Sequence, residues 1–337
     1  MCTAALDAAT LQNLVSAAVA APSVHNTQPW RFRLAADTMT LEIRAAADRG
    51  LRHMDPLGRA LHLSAGCALL NLRVAVAHFG WEPVTRLLPR PGEPDLLATV
   101  RLSGTTTPSA IPHLYGALWL RHSSRFPYSE RPLPSAVGTE LVEAAHVEGA
   151  LLSRPGPAGN DRLLLLAREA ERRNSADADR AAESRRWVHE PGDGHLGIPP
   201  AAVGPQDSRE RIPVRDFGAH RHPAVLAARP FERWPSLAVL STAHDRRADW
   251  LRAGQALERV LLVATAHGLR ASLLHQALEW SDLRARIARE SGDWRTHAQM
   301  VLRFGYGPQG PPSPRRTAEQ ALDEEPFPGS GPAHGGR

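Results

Sequence analysis

The chain has 337 residues, 42% of them apolar and 22% charged, with 40 basic and 35 acidic side chains and a net charge of +5. That length is enough for two compact units, and the composition excludes a wholly disordered chain. Every basic residue is Arg, acidic residues are interspersed among them, and no block of five or six like charges occurs; a nucleic-acid partner requires the excess gathered on one face or tail.

The opening Met1-Cys2-Thr3-Ala4-Ala5-Leu6-Asp7 lacks a basic n-region and an apolar h-region, so no secretion signal is expected and a cytoplasmic setting is. Apolar residues at helical spacing (Leu11, Leu14, Val15, Ala18, Val19) predict a helix over 10–21, stopped by Pro22. Alternation over 30–34 and 39–43 predicts a two-stranded hairpin. A strongly apolar helix follows over 56–79, with Gly80 as its C-terminal cap, but no uninterrupted apolar run reaches the about 20 residues that cross a bilayer. After a Pro-rich stretch comes a strand over 97–102, and 105–109 reads as a linker. Helices are predicted near 114–121 and over 139–145, 161–174 and 177–188. From 189 to 230 the pattern dissolves into Pro, Gly, His and Arg, which in a compact protein marks a functional lid or a disordered insert. A strand over 237–240, helices over 249–267 and 280–289, and a strand over 300–304 complete the second half. Beyond Arg316 the Gly/Pro-rich tail should fray.

Two of these helices match in register. Ala65-Gly-Cys-Ala-Leu69 runs to Gly80 and Ala253-Gly-Gln-Ala-Leu257 runs to Gly268, the two glycines 14 residues apart in each. Both follow a strand and an acidic/Arg turn, and both precede a strand that ends in Gly. This reads as an internal repeat. Its small residues would let the two helices pack together at the centre of the molecule.

Several motifs lead nowhere. Gly305-Tyr-Gly-Pro-Gln-Gly310 has dinucleotide-site spacing, but Pro311-Pro312 deny it the helix N-terminus that receives a pyrophosphate. His220-Arg-His222 lacks partners at zinc spacing. The only cysteines, Cys2 and Cys67, exclude a disulfide scaffold and a four-Cys metal site, and Cys67 sits in an apolar helix as inert core.

Three segments are more informative. Ala21-Pro-Ser-Val-His-Asn-Thr-Gln-Pro-Trp30 is a loop dense in small polar side chains, either a capped turn or an edge for a planar polar ring. Trp119-Leu-Arg-His-Ser-Ser-Arg-Phe-Pro-Tyr128 sets Arg121 and Arg125 around two hydroxyls, either a solvated basic turn or an anion cradle. Pro314-Arg-Arg316 follows the last strand.

Together these segments resemble the nitroreductase family of FMN-binding flavoproteins over residues 10–317. The helix around Trp250-Leu-Arg-Ala-Gly-Gln-Ala-Leu257 is most similar to its Acg-like branch. The resemblance implies an α+β, nitroreductase-like fold duplicated within one chain as a pseudo-dimer, with antiparallel or mixed sheets flanking central helices. The halves would be 1–108 and 109–317, with a lid at 189–230 and a flexible tail at 318–337. Each motif occurs once, so one FMN per monomeric chain is implied. By resemblance Arg121, His122, Ser123 and Arg125 hold the ribityl phosphate and pyrimidine edge, with Arg315 and Arg316 on the phosphate. Pro22, Ser23, Val24, Asn26 and Gln28 line the ring from the other half. Leu273, Leu274, His275 and Gln276 form the loop whose backbone N–H faces flavin N5, and their side chains depart from the family's usual Pro-x-Glu-Gly. No side chain is catalytic in itself; the flavin carries the redox step. The implied activities are NAD(P)H-dependent reduction of nitro compounds or quinones, or storage of FMN beneath the lid.

Overall fold

The computed structural model describes residues 6–104, 111–188, 194–215, 217, 227–290 and 295–323. The expected linker at 105–109 and the His220-Arg-His222 motif lie outside the described residues. The first half contains α1 (Ala8–Val19), β1 (Trp30–Ala35), β2 (Thr40–Ala45), α2 (Arg59–His78), β3 (Trp81–Leu87) and β4 (Leu96–Gly104). The second contains α3 (Tyr115–Leu120), α4 (Ser135–Val147), β5 (Leu151–Ser153), α5 (Pro157–Ala176), α6 (Ala178–Arg185), β6 (Gln206–Asp207), β7 (Ala228–Arg229), β8 (Ser236–Thr242), α7 (Arg247–Ala266), β9 (Arg270–Leu273), α8 (Ser281–Glu290), β10 (His297–Gly305) and α9 (Ala318–Ala321).

Two four-stranded sheets result, ordered β1-β2-β4-β3 and β5-β8-β10-β9, and every pairing within them is antiparallel. The connections follow one scheme in both sheets. A helix leads from the second strand to an edge strand, and the next strand inserts between the two. Trp30, Phe32, Leu41 and Ile43 send alternate side chains into the core, as the period of two dictates.

The strands β3, β5 and β9 depart from the sequence expectation. All three are edge strands, where one ladder suffices and a Pro such as Pro83 is tolerated. The expected fraying from 318 also fails at its start. Thr317 caps α9, and Leu322 pairs with Phe32 of β1, which ties the C-terminal arm back to the sheet that holds β1.

Helices α2 and α7 pack against each other, each also resting on its own sheet. At their crossing a β-carbon on Gly66 would lie 2.3 Å from the Leu251 carbonyl oxygen, and one on Gly254 would lie 2.1 Å from that of Leu63. Only hydrogen side chains permit this approach. Helix α2 begins where the Asp55 carboxylate accepts the free N–H groups of Ala60 and Leu61 at 3.0 and 2.9 Å. It is long and apolar enough to cross a membrane, but 83% of its apolar window is buried inside the protein, as befits a core helix.

Candidate functional site

The loop after α1 is strained and firmly tied. His25, Asn26 and Gln28 have φ of 48°, 54° and 46°, a left-handed backbone that costs non-glycine residues on the order of 1–2 kcal/mol each. The surroundings hold it there. Val24 N–H donates to Ser64 Oγ at 3.1 Å and Gln28 N–H to Ser23 Oγ at 2.9 Å. The Asn26 amide donates to the carbonyls of Gly197 and Pro314, at 2.7 and 2.9 Å. Gln28 donates to the His195 carbonyl at 2.6 Å. The 194–215 stretch and the C-terminal arm therefore brace this loop from two sides.

The Arg-rich segment leaves α3 at Leu120 and runs beside β9, with Ser124 N–H donating to the Ala271 carbonyl at 2.9 Å. The C-terminal arm presses on it. A β-carbon at Gly310 would sit 2.2 Å from the Ser123 carbonyl oxygen. The glycine spacing read as a failed dinucleotide motif therefore serves close packing here.

Between these segments and β9 runs a cleft with two compartments that share Pro22, Ser23, His25, Arg125 and Leu273. The larger has about 740 Å³, counting space open to solvent. Leu63, Cys67 and Leu257 from the central helices line it with Leu274 and Met300, and the 194–217 stretch adds Val214, Arg215 and Phe217. The smaller is lined by Asn26, Arg121, His122, Ser123, Ser313 and Arg315.

The smaller compartment is strongly cationic. Burial, then the neighbouring Arg215, pushes Arg125 down to about 10. Burial, then Arg121, pushes Arg315 down to about 9. A guanidinium stays protonated regardless, so these directions register crowded positive charge. Burial, followed by Arg121 and Arg315, holds His122 near 4. Arg121 has one close carboxylate, Glu258, at 3.4 Å. Such a compartment suits an anion with several acceptor oxygens.

A buried network closes the other end. Arg215 donates to His25 Nε2 and to Glu279 Oε1, both at 2.6 Å. His275 Nδ1–H donates to Glu279 Oε1 at 3.0 Å while its Nε2 accepts from Arg59 at 2.9 Å, which fixes a neutral imidazole. Burial lowers both His25 and His275, and the cations around Glu279, Arg215 foremost, hold its carboxyl at about 2 against the opposing effect of burial.

The cleft thus gathers Pro22, Ser23, Val24, Asn26, Arg121, His122, Ser123, Arg125, Leu273, Leu274, His275, Gln276 and Arg315. Gln28 and Arg316 do not line it. Gln28 is fully buried behind the loop and accepts the Arg316 backbone N–H at 3.0 Å, while the Arg316 side chain lies among Arg31, Asp48 and Asp323. Sequence reasoning missed His25, Arg215 and Phe217. His25 lay inside a motif already singled out, whereas Arg215 and Phe217 fall in a stretch with no periodicity. Among the described residues no group of three His, Cys, Asp or Glu side chains could hold a metal ion.

No family model matches the chain. It is similar, at 32% identity over 321 residues, to "Putative NAD(P)H nitroreductase Rv3131" of Mycobacterium tuberculosis, with 94% of this chain and 92% of that protein covered. "Putative NAD(P)H nitroreductase acg" of the same organism is 28% identical over 320 residues, covering 93% and 94%. Among solved structures, a "putative nitroreductase from anabaena variabilis" has 10% identity and a TM-score of 0.46, covering 90% of this chain and 74% of its own.

Proposed function

The chain belongs to the nitroreductase family, alongside its Acg-like mycobacterial relatives, and from that footing we propose that it is an FMN-binding flavoprotein that reduces nitro compounds or quinones at the expense of NAD(P)H. The observation that carries this reading is the cleft itself, an apolar compartment continuous with a cationic one. Its residues fit the cofactor. Among the described residues, Nδ1 of His25 and Nε of Arg121 and Arg315 are buried and lack hydrogen-bond partners, and three guanidinium groups face a compartment whose positive charge favours an anion. Arg121, His122, Ser123, Arg125 and Arg315 would hold the phosphate and pyrimidine edge. Pro22, Ser23, Val24 and Asn26 would line the ring, with the 273–276 backbone beside its reactive edge. Bound FMN supplies reversible two-electron chemistry, with NAD(P)H as the electron donor. The protein's share is to orient the ring, neutralise the phosphate and exclude water with Leu63, Leu257, Leu274 and Phe217.

The same reading makes the chain a monomeric pseudo-dimer with one FMN, its halves at 1–108 and 109–317. The repeated strand order and the contact between Gly66 and Gly254, matched positions of the two helices, support it.

One feature favours a second reading, FMN storage without turnover. The expected lid at 189–230 contributes Ile198, Ala202, Val214, Arg215 and Phe217 to the cleft walls, and Arg215 pins it to both halves. The test is to load the purified protein with FMN and mix it anaerobically with NADPH while following the flavin band. Rapid bleaching supports the reductase. Lasting colour supports storage, and failure to take up FMN removes both.

A further inference from the structure

Glu258 lies on α7 with none of its surface exposed, beside Cys67 and Asn71 of α2. Among the described residues neither of its carboxyl oxygens takes part in a hydrogen bond. Arg121 Nε stands 3.4 Å from Oε1 and has no hydrogen-bond partner among the described residues, while Nη2 of the same guanidinium donates to the Ala20 carbonyl at 3.0 Å. Arg121 is also a wall of the cationic compartment, and Arg315, another wall, is the second cation that Glu258 feels. One buried carboxyl therefore shares its two counter-charges with any anion that enters. Ionised, it competes with that anion; protonated, it leaves both guanidinium groups to it.

We propose that Glu258 is a proton-linked counter-ion of the cofactor site, which takes up a proton as the phosphate of FMN binds. The inference rests on the FMN reading above.

The groups facing Glu258 are Arg121 beyond α3, Arg315 from the C-terminal arm, and Cys67 and Asn71 from α2. The Cys67 thiol is pushed well above its usual range, by burial first and Glu258 second, so it stays neutral. The Asn71 amide donates to the Ala17 carbonyl at 3.1 Å. Burial outweighs Arg121, the nearby Asn71 amide and Arg315, and lifts Glu258 to about 7, so without ligand it titrates near neutrality. A dianion beside Arg121 and Arg315 raises it further. The sign follows: above pH 7 each binding event must recruit a proton, and affinity falls by up to about tenfold per pH unit. A phosphate monoester loses its second proton near pH 6, so at pH 8 the phosphate contributes no proton of its own. His122, near 4, stays neutral there as well.

The experiment is an FMN titration of the full-length apoprotein at pH 8, by calorimetry in two buffers of different ionisation heat, with Kd followed by fluorescence quenching from pH 7 to 9. The expected result is uptake approaching one proton per FMN and a Kd that rises with pH. In Glu258→Gln the uptake vanishes and the Kd is flat. Tight, pH-independent binding by the native protein overturns the inference and leaves the FMN reading intact, and undiminished uptake in Glu258→Gln overturns it too. If Glu258→Gln does not fold, the infrared difference between FMN-bound and apo native protein at pH 8 decides. A gained protonated-carboxyl C=O band supports the proposal and its absence overturns it. Failure to bind FMN at any pH overturns the FMN reading and this inference with it.

Discussion

Arg215 Nη1 stands 2.6 Å from His25 Nε2. The guanidinium donates and the imidazole accepts, so this contact between the 194–215 stretch and the N-terminal loop exists only while His25 is neutral.

That requirement gives a pH dependence. Burial lowers His25, His62, His122 and His275 below the ordinary histidine value, so below about pH 6.5 the unfolded chain binds protons that the folded chain refuses. Each contributes stability that is lost as pH falls, by up to about 1.4 kcal/mol per pH unit. Glu258 acts oppositely, since its raised carboxyl favours the folded state only while protonated. Burial raises Asp55 in the same sense as Glu258, but four histidines outweigh two carboxyls, and the melting temperature is expected to fall from pH 7 to pH 5, less steeply in His25→Gln. Calorimetric scans across that range measure it.

Arg215→Gln removes the principal cation beside the buried Glu279 and frees one tie of the 194–215 stretch. Breaking a buried pair costs about 3–5 kcal/mol, an upper figure here because Asn174 and His275 still donate to Glu279. Urea unfolding should show the loss. Limited thermolysis should cut the 194–230 stretch sooner than in the native protein.

Arg315 and Arg316 are neighbours in sequence with unequal predicted effects. Arg315→Ala should weaken FMN binding about 10- to 150-fold, the equivalent of roughly 1.5–3 kcal/mol for a charge-assisted contact. Arg316→Ala should change it little, because that side chain lies outside the cleft among Arg31, Asp48 and Asp323. Fluorescence titration of the two variants makes the comparison, and equal losses would relocate the phosphate.

Gly254→Ala places a methyl group 2.1 Å from the Leu63 carbonyl oxygen. The helix axes must separate, and a loss of at least about 1–3 kcal/mol is expected in urea unfolding. Gly104→Ala, with nothing within 4 Å, is the matched control.

The long elements were legible in their residue types: α2 and α7 as long unbroken runs of helix-forming residues that end at Gly80 and Gly268, β1 and β2 by the alternation of apolar with polar side chains. The edge strands β3, β5 and β9 were not, since one-sided pairing imposes little pattern on side chains. In the cleft, the 22–26 loop and the Arg121 to Arg125 segment stood out by polar density. Arg215 and Phe217 did not, because their partners His25, Glu279 and Arg125 are remote in sequence. Nothing in the sequence separates Glu258 from the other charges of its helix; only the packing of α2 against α7 removes it from water.

The cleft draws its walls from the N-terminal loop, the segment after α3 and the C-terminal arm, all in one covalent chain. A pocket assembled between separate subunits dissolves when its protein is scarce. Here the partner surface is tethered, so its effective concentration is fixed by the chain. Ligand occupancy should therefore be indifferent to dilution of the protein.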